Sequence, residues 1–83
     1  MKPISAHECR FYLALRARGR AWQTARELAT AAQVSERAAR EYARRHCQQG
    51  TAERLVATGG YRYRPTSKRA ADLIAATAAL GLS

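Results

Sequence analysis

Arg37, Arg40, Arg44 and Arg45, with Glu36 and Glu41 between them, are spaced so that one side of a helix would carry a row of guanidinium groups. A guanidinium is a planar fork of donors. It matches a phosphate, or the O6/N7 edge of guanine, with two parallel hydrogen bonds. Arg37 and Arg40 are expected to read guanine in this way, each contributing about 1–3 kcal/mol of discrimination. Glu36 and Glu41 would accept from cytosine N4 or orient the arginines. Ser35, Ala38 and Arg44 complete the expected base-contacting set. A second set surrounds Gly59 and Gly60: Arg54, Tyr61, Arg62 and Arg64, joined by Thr24 and Arg45. These are expected on the phosphate backbone or in the minor groove, where narrow A·T tracts attract guanidinium groups. The plain alternative for any one of these arginines is a solvated surface charge. For Arg16, Arg18 and Arg20 the alternative to phosphate contact is complementing the dipole at the end of the first helix.

Other reactive side chains are few. His7 and Cys9 would sit about 200° apart on a helix, and the neighbours His46 and Cys47 about 100° apart, so neither pair chelates a metal from regular helix. Cys9 and Cys47 read as small core residues, the alternative being that they face each other where the first and third helices pack and sense redox state. Six carboxylates, two histidines and no glycine-rich phosphate loop leave no nucleophile–base pair. No catalytic residue, metal or cofactor is expected, and no pocket for a small-molecule effector is legible.

The charge balance agrees with the arginine pattern. Fifteen Lys and Arg oppose six Asp and Glu, for a net charge of +9 on 83 residues, a field that attracts polyanions. Fourteen of the fifteen cations lie between Arg10 and Arg69, so the charge belongs to the folded body. A chain of this length forms one domain, 1–83, and buries only about 60–65 % of the surface its unfolded form exposes. That disfavours a deep, water-excluded active site. Met1–Ser5 leads into charged residues without an apolar core, and the apolar stretch Leu73–Leu82 is half the roughly 20 residues needed to span a bilayer. The expectation is a cytoplasmic protein without a membrane partner.

These residues need elements to position them. Ser5 with Glu8 reads as a capping box and opens a first helix over 5–18. Thr24 with Glu27 repeats it for a short helix over 24–31. Ser35 caps the longest helix, to Gln49, with Gly50 as C-cap. The inward positions of that helix read Ala38/Ala39, Tyr42/Ala43 and His46. After Gly50 the period changes. Leu55–Thr58, a Gly59-Gly60 turn and Tyr61–Arg64 predict a hairpin, with Val56 and Tyr63 on the core face and Arg62 in solvent. Pro65 ends the second strand. Ser67 would start a last helix to Leu80, its apolar stripe formed by Ile74, Ala78 and either Leu73 or Thr77. Trp22 reads as a core anchor or a short first strand, Tyr42 and Tyr63 as core, and Tyr61 as the exposed aromatic.

The resulting fold class is mainly α with a small β-hairpin wing, in the order helix-helix-helix-strand-strand-helix. From Thr24 to Thr66 the chain resembles the winged helix-turn-helix family. The resemblance rests on Thr24-Ala25-Arg26-Glu27-Leu28-Ala29, Val34-Ser35 at the start of the long helix, Gly50, Glu53-Arg54 and Tyr63-Arg64-Pro65-Thr66. The layout is shared by MarR-like proteins and small bacterial or phage repressors. It implies a helix-turn-helix motif over 24–49, a wing over 52–65 and a C-terminal helix over 67–80. It also implies a sequence-specific transcriptional regulator that places residues 35–49 in the major groove of double-stranded DNA. Two alternatives stand beside it. One is an architectural or RNA-binding protein without sequence preference; the other is a winged-helix adaptor docking another protein. Small domains reach useful affinity as dimers, so a second copy of the chain is an expected partner through Leu73, Ile74, Leu80 and Leu82. The alternative is that this last helix folds back and completes its own core.

Overall fold

The structure, a computed structural model, describes residues 4–82; the expected domain bounds, and part of the Met1–Ser5 reading, lie outside these residues. Helices α1 (Ala6–Ala17), α2 (Ala25–Ala32) and α3 (Glu36–Gln49) precede strands β1 (Ala52–Ala57) and β2 (Gly60–Pro65), and helix α4 (Ala71–Ala79) follows. The expected element order holds throughout. Each of the first three helices starts at its expected cap: the hydroxyls of Ser5, Thr24 and Ser35 accept from the backbone N–H of Glu8, Glu27 and Ala38. At Thr24 the Glu27 carboxylate reaches back to the Thr24 N–H, completing the box. The turn between α2 and α3 has no glycine, and Gln33 itself adopts the left-handed conformation, φ 59°. Its N–H satisfies the last carbonyls of α2 there.

Small residues on α2 and α3 let the helices approach closely. Ala29, Ala32, Ala39 and Ala43 are buried, and the bulk of the core comes from Phe11, Tyr12 and Leu15 of α1 with Leu28 of α2. His46 is a polar residue within this core. Fully buried, it stacks on Tyr12 with ring centroids 5.0 Å apart and lies 5.9 Å from Phe11. Its Nδ1 is 2.6 Å from the Thr51 hydroxyl, while Nε2 has no hydrogen-bond partner and faces the Glu8 carboxylate at 3.6 Å.

Four expectations about the second half need correction. The hairpin pairs Ala52 with Pro65 through Ala57 with Gly60, so the connecting residues are Thr58 and Gly59, and Gly60 already belongs to β2. Val56 does share a face with Tyr63, yet it is 74 % exposed. Only the base of the hairpin, at Ala52 and Tyr63, reaches the core; the outer half projects past the helices. The last helix begins at Ala71 rather than Ser67, because Thr66 holds the preceding residues as a loop. The Thr66 hydroxyl donates to the Gly50 carbonyl and accepts from the Lys68 N–H, and the Lys68 ammonium donates to the Gln49 carbonyl at the C-terminus of α3. Ala70 then donates its N–H to the Tyr12 hydroxyl, anchoring α4 to α1. The inward positions of α4 are Leu73 and Thr77; Ala78 is exposed.

The buried imidazole makes stability depend on pH. Burial, assisted by the positive charge of Arg45 and opposed by Asp72, pushes the His46 pKa down to about 4. The unfolded chain takes up this proton near pH 6.5, the folded chain only near 4. Stability from neutral His46 is therefore complete above pH 6.5 and lost as pH falls toward 4. Urea melts should show a loss of roughly 2 kcal/mol between pH 6.5 and 5, and His46→Leu should flatten that slope. An unchanged slope in the variant would assign the pH dependence to other groups.

Candidate nucleic-acid interface

Arg37, Arg40, Glu41 and Arg44 fall within roughly 100° of arc on α3, opposite the buried Ala39, Ala43 and His46. All four are exposed. Their side chains do not project as free charges. Arg40 donates to Glu36 at 2.5 Å, and Arg26 of α2 approaches the same carboxylate at 3.9 Å. Arg44 donates to Glu41 at 2.5 Å, and this hydrogen bond holds the Glu41 carboxyl below the usual carboxylate range. Arg37 is in no ion pair among the described residues. Ser35 is exposed but spends its hydroxyl on the helix cap, and Ala38 is half-buried.

The hairpin stands beside this face. Thr24 and Arg26 of the α2 start, Glu36 and Arg40 of α3, and Gly60, Tyr61 and Arg62 of the hairpin line one cleft of about 340 Å³, with Gly59 at its rim. Gly59 and Gly60 have φ of 88° and 132°, values that suit residues lacking a Cβ, and space for a Cβ is open at both. Any ligand can therefore meet bare backbone at the tip. Arg54 stacks on the ring of Tyr61, 4.4 Å from its centroid, and lines a separate cleft with Arg44 and Cys47. Arg62 is half-buried and in no ion pair among the described residues, though its charge, with that of Arg18, adds to the depression of the Glu27 pKa that the Thr24 hydrogen bonds dominate.

Two predicted residues are turned to other work. Arg45 reaches back to Glu8 of α1 at 3.4 Å and lies over the Tyr42 ring. Arg64 pairs with Glu53 and covers Trp22, its guanidinium carbon 4.2 Å from the ring centroid. Trp22 itself is half-buried, next to a backbone bridge between Gln23 and Tyr63. Arg26 was missed by sequence reasoning. Its signal was its position two residues after the Thr24 cap, which aims it from the start of α2 toward the start of α3.

Of the four apolar residues expected to bind a second copy, Leu73 is only 4 % exposed and belongs to the chain's own core. Ile74 and Leu82 are half-buried and Leu80 is exposed. Cys9 and Cys47 are free thiols; burial pushes the Cys47 thiol up, which keeps it protonated near neutral pH. Among the described residues no three His, Cys, Asp or Glu side chains converge to hold a metal ion, and no helix is long and apolar enough to cross a membrane. No family model, curated protein or solved structure matches the chain.

The glutamates on α3 set how much positive charge the face presents. Glu36→Gln should release Arg26 and Arg40 and raise the salt needed to elute the protein from heparin. Asp72→Asn, which adds the same charge on α4, should raise it less. Equal shifts would mean that heparin senses net charge alone.

Proposed function

We propose that this protein is a sequence-specific, double-stranded DNA-binding transcriptional regulator that lays α3 in the major groove and its hairpin on the flanking backbone. The observation that carries this reading is the exposed stripe Arg37, Arg40, Glu41 and Arg44 on a helix whose opposite face is buried, with a glycine-tipped basic hairpin alongside. A major groove about 12 Å wide admits one helix, and such a stripe is what that helix presents to base edges. The resemblance to winged helix-turn-helix sequences supports the same placement.

The ion pairs add a mechanism. Arg40 and Arg44 reach the DNA only by leaving or sharing Glu36 and Glu41. A guanine edge and a phosphate each offer a guanidinium two acceptors, so either must compete with the carboxylate already in place. The paired glutamates thus lower the net positive charge of the face, and with it the general attraction for phosphate. Arg37, in no ion pair among the described residues, supplies the first attraction. Arg62 and Arg54 on the hairpin fix orientation through phosphates, which carry no sequence information.

Two other readings, a sequence-blind architectural protein and a protein-docking adaptor, are separated from this one by binding to a randomised duplex library. Arg37→Ala and Arg40→Ala should change which sequences are enriched, with losses of about 1–3 kcal/mol at the affected base pair. Arg62→Ala should weaken all duplexes alike and lower the slope of log affinity against log salt by about 1. Uniform losses from all three variants would indicate an architectural protein, and absence of duplex binding an adaptor.

A further inference from the structure

On another side of the molecule an open trough of about 700 Å³ runs between α1, the end of α2 and the C-terminal Leu82. Its apolar walls are Leu13 and Ala17 of α1, Ala31 of α2 and Leu82, and Arg10, Arg16 and Arg18 stand around them. Ala17 and Ala31 are exposed and Leu13 is only half-buried, so apolar surface is left to water there. Among the described residues no carboxylate lines the trough, and neither does any residue of α3 or the hairpin. Arg10 is fixed in place by donating from Nε to the Ala32 carbonyl, which leaves its terminal nitrogens for a ligand.

We propose that this trough docks an acidic amphipathic segment of another protein. Charge chooses the occupant: the guanidinium groups of Arg10 and Arg16 beside an apolar floor, with Arg18 already 3.6 Å from Glu27, complement a helix with leucine-like side chains on one side and carboxylates flanking them. A second copy of this chain does not fit that description. Its six acidic residues are scattered, the nearest two being Glu36 and Glu41, and it would bring a further net charge of +9 to a basic surface. The span from Arg10 to Ala17 is about 10 Å, room for roughly two turns of a partner helix. A protein seated here would leave α3 and the hairpin uncovered, so DNA and protein partner can be held together. The proposal does not depend on the DNA reading.

The probe is a fluorescein-labelled 14-residue peptide of Asp, Glu and Leu, with leucines at i, i+3, i+4 and i+7, followed by fluorescence anisotropy with the full chain at about 150 mM salt. Saturable binding with Kd on the order of 10 μM is expected. A peptide of the same charge with serine for leucine should bind at least tenfold more weakly. Ala17→Glu and Ala31→Glu, each at an exposed position, should each weaken the leucine peptide about tenfold. Arg40→Ala/Arg44→Ala should leave its affinity within twofold. Four results would overturn the proposal: equal affinity for both peptides, no effect of either glutamate, loss of binding in the Arg40/Arg44 variant, or no binding up to 1 mM peptide. Loss in the Arg40/Arg44 variant would show the peptide acting as a general polyanion on α3.

Discussion

Two backbone hydrogen bonds, each 2.8 Å long, join Gln23 and Tyr63 and hold the hairpin against the helices. A two-stranded hairpin alone is marginal in water, so this one needs a third backbone partner to keep a fixed position. Gln23 supplies it from the segment just before α2. Its side chain is buried and lies 3.4 Å from the Ala14 and Leu15 carbonyls at the end of α1. One residue thus ties α1, the start of α2 and β2 together. The cleft between α3 and the hairpin has its width because of that bridge, and so do the relative positions of Arg26, Arg40 and Arg62 around it.

The remaining constraints work through size and charge. Alanines on the inner faces of α2 and α3 let these helices pack closely with few large side chains, which suits a chain too short for a thick core. The cost of that economy is a polar group at the centre. His46 fills the space between Phe11, Tyr12 and Thr51, where burial disfavours the protonated ring. On the surface, every glutamate of the chain pairs with an arginine: Glu8 with Arg45, Glu27 with Arg18, Glu36 with Arg40, Glu41 with Arg44 and Glu53 with Arg64. Where both partners are exposed, these pairs add little stability. Their consequence is directional: Arg45 and Arg64 are turned inward, and Arg37 is left in no such pair.

The starts of α1, α2 and α3 were legible in the sequence because capping is local chemistry, and Ser5, Thr24 and Ser35 each act where their side chains predict. Gly50, at φ 83°, ends α3 for the same reason. What required three dimensions was different in kind. Alternation placed Val56 on the face of Tyr63 correctly, but no local pattern says how far a hairpin extends beyond its core. The loop of Ser67–Arg69 depends on Thr66 meeting Gly50, sixteen residues away. In the site, the stripe on α3 followed from spacing alone. The diversion of Arg45 and Arg64 did not, since it depends on Glu8 and Trp22 arriving from distant parts of the chain. Arg26 was overlooked for the converse reason: only the packing of α2 on α3 brings it to Glu36.

The central claim, that α3 and the hairpin tip are the surface that meets DNA, is tested most directly by following backbone amide NMR signals as a duplex enriched from a random library is added at about 150 mM salt. The account predicts that shifts concentrate at residues 35–45 and 59–62, with the amides of Leu13, Ala17 and Ala31 unmoved. Shifts centred on α1 or α4, or spread evenly over every arginine-bearing element, would contradict it.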